Sequence, residues 1–139
     1  MSKRYFTVAQ VNSLLPRIQV AVEQVQEGNR RLTALSRQLY PEGKPPSDTM
    51  VDREYLASIQ LMTEGVEVIG GLGGQVKDLR TGLVDFPSLF QGREVLLCWM
   101  PGEDAVHFWH DIDAGFAGRA AIENESEFHG GTGPERPQR

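Results

Sequence analysis

The densest set of groups able to bind a metal or move a proton lies between residues 103 and 113, in Glu103, His107, His110, Asp111 and Asp113. Asp85 and Cys98 join this set if the intervening chain folds back on itself as a sheet. Imidazole and carboxylate together suit zinc, iron or manganese, and an open position on such an ion permits hydrolytic or redox chemistry. The metal ligands expected are His110, Asp85, Asp113 and His107, with a divalent transition metal as the cofactor. His107 and His110 stand three apart, which puts them on opposite faces of a regular strand, so they share one ion only across a bulge or a strand end. The competing reading is a partly buried His110 bonded to Asp85 or Glu94.

Other groups bear on the same chemistry. For catalysis the candidates are His110 as the acid or base, Asp85 to orient its ring, and Arg93 or Arg119 to hold an anionic substrate. Arg119 closes the run Gly115-Phe116-Ala117-Gly118-Arg119, where two glycines let backbone amides turn inward; the competing reading is plain turn chemistry with a structural arginine. Cys98 lies in the apolar run Val95-Leu96-Leu97-Cys98-Trp99-Met100 and reads as a buried inert thiol, or as a nucleophile if it faces His107. Lys77, Asp78, Asp85, Arg93 and Glu94 offer balanced charges for an ion-pair network on neighbouring strands. Trp99, Trp109 and Phe108 read as a sheet face packed on helices. The glycines from Gly70 to Gly74 follow a helix and precede a strand, the reverse of a phosphate-cradling loop.

Helices and short strands must position these groups. Thr7-Val8-Ala9-Gln10 has the spacing of a capping box, with Phe6 and Val11 placed as a hydrophobic staple. From there Val11, Leu15, Ile18, Val22, Val25, Asn29, Leu32, Ser36 and Leu39 recur at steps of four and three, predicting a helix over about 8–39 with a coiled-coil-like seam. Pro16 predicts a kink early in it. Tyr40 to Asp48 is rich in breakers and reads as a loop. A second helix over about 52–70, with Tyr55, Ile59, Met62, Val66 and Ile69 as its seam, returns antiparallel to the first. Strands are predicted at 75–79, 83–86, 94–100 and 105–111. A four-residue turn at Pro101-Gly102-Glu103-Asp104 sets Cys98 opposite His107 and Val95 opposite His110. The fold class is α+β, a long antiparallel helical hairpin packed with a small antiparallel β-meander. It forms one domain over 1–122, with a disordered tail over 123–139.

Composition excludes several roles. The 139 residues carry 14 basic against 19 acidic side chains, a net charge of -5 that argues against nucleic acid as a partner. Apolar runs fall far short of the roughly 20 residues a membrane span needs. Lacking a signal-peptide pattern and holding a single cysteine, the chain is expected in the cytoplasm. The first helix outruns the second, leaving Leu32, Leu35 and Leu39 uncovered, and a homodimer through the hairpin would bury them. Two functions therefore stand: a self-associating interaction or structural module, and a metal- or histidine-dependent enzyme centred on His110.

The motifs Phe6-Thr7-Val8, Leu14-Leu15-Pro16, Val76-Lys77-Asp78-Leu79, Gly82-Leu83-Val84-Asp85-Phe86-Pro87, Gly92-Arg93-Glu94-Val95, Leu97-Cys98-Trp99 and Trp109-His110 resemble the prokaryotic family called domain of unknown function 2203. The likeness runs over about residues 4 to 120 and includes the Gly115 to Arg119 run. It implies a cytosolic bacterial or archaeal protein and the helix-plus-sheet layout, and it names no activity. Matched by motif are Lys77, Asp78, Asp85, Arg93, Glu94, Cys98, Trp99, Trp109, His110 and Arg119. His107 departs from the aromatic or aliphatic residue expected at its position.

Overall fold

In the computed structural model, which describes residues 2–39 and 53–134, the first long element begins at the predicted capping box. Gln10 N–H donates to Thr7 Oγ1 (3.1 Å) and Thr7 N–H donates to Gln10 Oε1 (2.9 Å). These bonds satisfy donors that a helix start leaves unpaired. Helix α1 (Val8–Leu39) follows a short strand β1 (Ser2–Tyr5) and runs through Pro16 as one continuous helix. Its seam residues Val11, Leu15, Ile18, Val22 and Val25 are buried, as are both staple residues Phe6 and Val11. The predicted loop at 40–48 and the start of the second helix at 52 lie outside the described residues.

Helix α2 (Arg53–Leu72) packs antiparallel on α1: Gly28 lies against Met62, and Gly65 against Val25, so rising numbers on one helix meet falling numbers on the other. The face α2 buries keeps Met62 and Ile69 of the expected seam but not Ile59 and Val66. Ser58, Gly65, Ile69 and Leu72 are buried, while Ile59 and Val66 are each 37% exposed. Small residues let the two backbones approach closely, so the contact runs along Ser58 and Gly65 rather than along the bulkiest side chains. Gly73, with φ 104, ends the helix, and Gly74 N–H donates back to the Ile69 carbonyl (3.0 Å). No described helix is long and apolar enough to cross a membrane.

Beyond Gly74 the chain forms β2 (Gln75–Val76), β3 (Val84–Phe90), β4 (Arg93–Trp99), β5 (Phe108–Asp111) and β6 (Ala120–Ala121), ordered in that sequence in one sheet. A two-residue turn at Gln91 and Gly92, both with positive φ (52 and 76), joins β3 to β4. Such a turn matches strand twist and sets opposite one another the residues equidistant from it. Asp85 therefore pairs with Cys98, six residues out on either side.

The β4–β5 connection corrects the predicted register. Cys98 pairs with Phe108 and Val95 with Asp111, one residue away from the expected Cys98–His107 and Val95–His110 pairs. The turn at Gly102 forms, with Glu103 N–H donating to the Met100 carbonyl (3.1 Å), but the extended pairing resumes only at Phe108. Val106 is drawn into the core, and its N–H donates to Asn12 Oδ1 on α1 (2.8 Å). That contact takes up the residues assigned to the start of the strand.

A second correction concerns the tail predicted to be disordered. Residues 128 to 134 form β7 (Phe128–His129), which pairs with β3, and β8 (Gly131–Pro134), which pairs antiparallel with β1. Phe128 is 3% exposed and stacks on Phe90, with ring centroids 4.8 Å apart. The rest of the core lies between the helices and one sheet face, where Val84, Phe86, Val95, Leu97 and Trp99 are buried with Ile18, Val22 and Ile69. The other face of that sheet carries the polar groups described next.

Candidate metal centre

Strand alternation decides which side chains share a face. On the face turned away from the helices stand Asp85 of β3, Cys98 of β4, and Phe108 and His110 of β5, because Cys98 pairs with both Asp85 and Phe108, and His110 follows two residues after Phe108. Phe108 thus lies opposite the helical face on which it was expected. The one-residue change of register has a direct chemical result: it brings His110, not His107, beside the thiol.

Asp85, Cys98 and His110 are all buried, and one donor atom from each lies within 4.8 Å of the others. His110 Nε2 stands 3.2 Å from both carboxylate oxygens of Asp85. Its Nδ1 is 2.8 Å from the carbonyl oxygen of Asp111. A carbonyl only accepts, so Nδ1 carries the hydrogen, and the ring turns Nε2 toward the carboxylate. A lone pair aimed at a buried carboxylate is repulsive. A metal ion between the two groups would turn that repulsion into a pair of attractive contacts.

Cys98 is held from the other side. Arg119 donates from Nε to Cys98 Sγ (3.3 Å) and from Nη2 to the Cys98 carbonyl (3.4 Å). The same Nη2 pairs with Glu103 Oε1 at 2.5 Å, and the guanidinium lies 4.2 Å from the centroid of Phe108 and 5.2 Å from that of Phe116. Glu103 is fixed in turn by the Met100 N–H (2.7 Å), and its carbonyl accepts from Trp99 Nε1 (3.0 Å). Burial pushes the Cys98 thiol up to about 11; the bond from Arg119 opposes that rise and the charge of Asp85 adds to it. The Asp111 carbonyl on His110 and Arg119 on Cys98 act on two of the three donors as outer partners do in metal sites, by fixing orientation and favouring the ligating form.

The remaining sequence candidates fall elsewhere. His107 is exposed, with Nε2 2.6 Å from Asp104 Oδ1, and this contact holds the Asp104 carboxyl below its ordinary range. Asp113 is exposed in the turn after β5. Arg93 belongs to the opposite face, where its Nε donates to Asp111 Oδ1 (2.9 Å) and its guanidinium covers Phe90 and Trp109. The proposed network of Lys77, Asp78, Asp85, Arg93 and Glu94 dissolves into separate local contacts. Asp78 accepts from the backbone of Arg80 and Thr81, and Glu94 from Lys3 and Tyr5. Cys98, added to the wider set on condition that the sheet forms but absent from the four ligands expected, takes the place of His107 and Asp113. The Gln91-Gly92 turn was the signal that could have placed it opposite Asp85.

Neither the curated proteins nor the solved structures yield a match to this chain. A family model described as "Uncharacterized conserved protein (DUF2203)" matches residues 4–122, a span that contains Asp85, Cys98, His110, Glu103 and Arg119. With most of its length matched, the chain belongs to the domain of unknown function 2203 family.

Proposed function

We propose that this protein is a metal-binding domain whose single ion sits among Asp85, Cys98 and His110 on the outer face of the sheet. The observation that carries the reading is the arrangement of His110, whose Nδ1 is committed to a backbone carbonyl while Nε2 converges with a carboxylate and a thiol in a buried site. One thiolate, one imidazole and one carboxylate suit zinc, or iron or cobalt in its place. Three protein donors leave a tetrahedral ion one further position, the layout of sites that act on a bound water or substrate rather than purely structural ones. The same reading puts the protein in the cytoplasm, where a lone ligating thiol stays reduced.

Elemental analysis of tag-free protein tests this. One equivalent of a transition metal is expected in the wild type and loss of it in His110→Ala and Cys98→Ser, with circular dichroism showing the fold kept. Absence of stoichiometric metal from wild-type protein after add-back under reducing conditions sinks the proposal and leaves His110 and Asp85 as a purely structural pair.

A second reading, self-association through the helical hairpin, is favoured by the apolar side chains α2 leaves in solvent. Leu56 (55% exposed), Ile59 and Val66 fall on one stripe of that helix. The uncovered patch is thus on α2, whereas Leu32 and Leu35 of α1 are half-buried and the Leu39 side chain lies outside the described residues. Light scattering on wild type and Ile59→Glu decides it: a dimer reduced to a monomer supports the reading, and a monomeric wild type at high concentration removes it.

A further inference from the structure

Three donors rising from three consecutive strands constrain more than the ion. Asp85, Cys98 and His110 come from β3, β4 and β5 in that spatial order and all leave the same face. Side chains stand roughly perpendicular to a sheet, so an ion held by these three lies above that face, and its remaining position points away from the strands. Arg119 stands on that same face, anchored over Cys98 and Phe108.

Arg119 uses Nε and Nη2 in the contacts already described, while Nη1 donates to none of the described residues. A guanidinium offers five donors in a fixed planar fork matched to the spacing of oxyanion oxygens. Nη1 is not sealed in: every fully buried side-chain nitrogen or oxygen among the described residues has a partner, so this unpaired atom reaches solvent. A ligand reaching the ion's remaining position would meet the metal and a guanidinium whose Nε and Nη2 are held by Cys98 and Glu103 and whose Nη1 is free to donate.

Resting on the metal-centre reading, we propose that the open position takes an oxyanion, a carboxylate or phosphate group, with one oxygen on the ion and another on Arg119. This makes Arg119 the residue that selects anionic ligands and gives the site a substrate class: small molecules or chain ends bearing such a group.

Cobalt-substituted protein separates this inference from the reading beneath it. Cobalt in the Asp85–Cys98–His110 site gives visible d–d bands and a sulfur-to-metal charge-transfer band, and absence of both bands overturns the two readings together. With the bands present, titration with acetate and with methyl phosphate in parallel is expected to shift the d–d bands saturably for at least one of them. The stronger response names the carboxylate or the phosphate. Arg119→Gln is expected to keep the cobalt spectrum and weaken the anion response at least tenfold. If Arg119→Gln does not hold cobalt, Arg119→Lys carries the same comparison, with a weakened response expected because the fork is lost. A wild-type spectrum unmoved by either anion, or a variant that responds as the wild type does, overturns the anion proposal while leaving the metal centre intact.

Discussion

One helix supplies a paired test of how closely α1 and α2 approach, through Gly65→Ala and Gly70→Ala. Both glycines lie in α2, so both changes add a methyl group and remove the same conformational freedom from the unfolded chain. That shared term stabilises by about 0.4–1 kcal/mol where the native backbone accepts alanine. At Gly70 nothing lies within 4 Å of the added carbon, so the gain should appear undiminished. At Gly65 the carbon would stand 2.6 Å from Val25 Cγ2 and 2.8 Å from the Ala21 carbonyl oxygen. The second of these is backbone and cannot rotate away, so the helices must part. Overpacking of this kind costs about 1–3 kcal/mol, which is also the expected gap between the two variants because the unfolded-state term cancels. A gap of about 2 kcal/mol corresponds to roughly 1 M in the urea midpoint at an m-value near 2 kcal/mol/M. Urea unfolding followed by circular dichroism reads it directly. If Gly65→Ala is stabilised as much as Gly70→Ala, the helices are not in contact at that turn and the close-packed hairpin is wrong.

Two further outcomes follow from the sheet. Phe128→Ala should cost about 3–5 kcal/mol, the range for an aromatic ring removed from a packed core, and a loss below about 1 kcal/mol in urea unfolding would mean that residues beyond 122 are not part of the fold. In metal-free protein the Cys98 thiol, held up at about 11, keeps its proton more tightly than the unfolded chain does, so this contribution is complete below pH 9 and is lost as pH rises toward 11. Urea midpoints across that interval should fall more steeply for wild type than for Cys98→Ser, and equal slopes would refute the burial of the thiol.

Legibility of the fold followed the range of the interactions. The Thr7–Gln10 box and the α1 seam were readable because each depends on residues a few positions apart. The α2 seam was legible at Met62 and Ile69 but not between them and before them, because apolar weight pointed to Ile59 and Val66, whereas the contact is made where Ser58 and Gly65 leave room for backbone. The strand register failed by one residue because Asn12, far away on α1, takes the Val106 N–H, a contact no local pattern announces. That single residue decides the site, since it exchanges His107 for His110 beside Cys98. Asp85 and His110 were identified by residue type. Cys98 needed the pairing fixed by Gln91 and Gly92, and Arg119 needed the return of the chain across Phe108. The segment from Phe128 to Pro134 looked too polar and glycine-rich to order; its glycines take part in backbone pairing with β1, which needs no side chain.

The pairing of β1 with β8 also sets a clock. Ser2 to Tyr5 leave the ribosome well before the strand they pair with, Gly131 to Pro134, which is made roughly 130 residues later. At about 5–20 residues per second, β1 waits on the order of 7 to 26 s for its partner. Through that interval its edge is open to any other strand, including that of a neighbouring nascent chain. Arg4 and Lys3, two cations in a four-residue strand, are the sort of residues that keep such an edge from pairing with the wrong one.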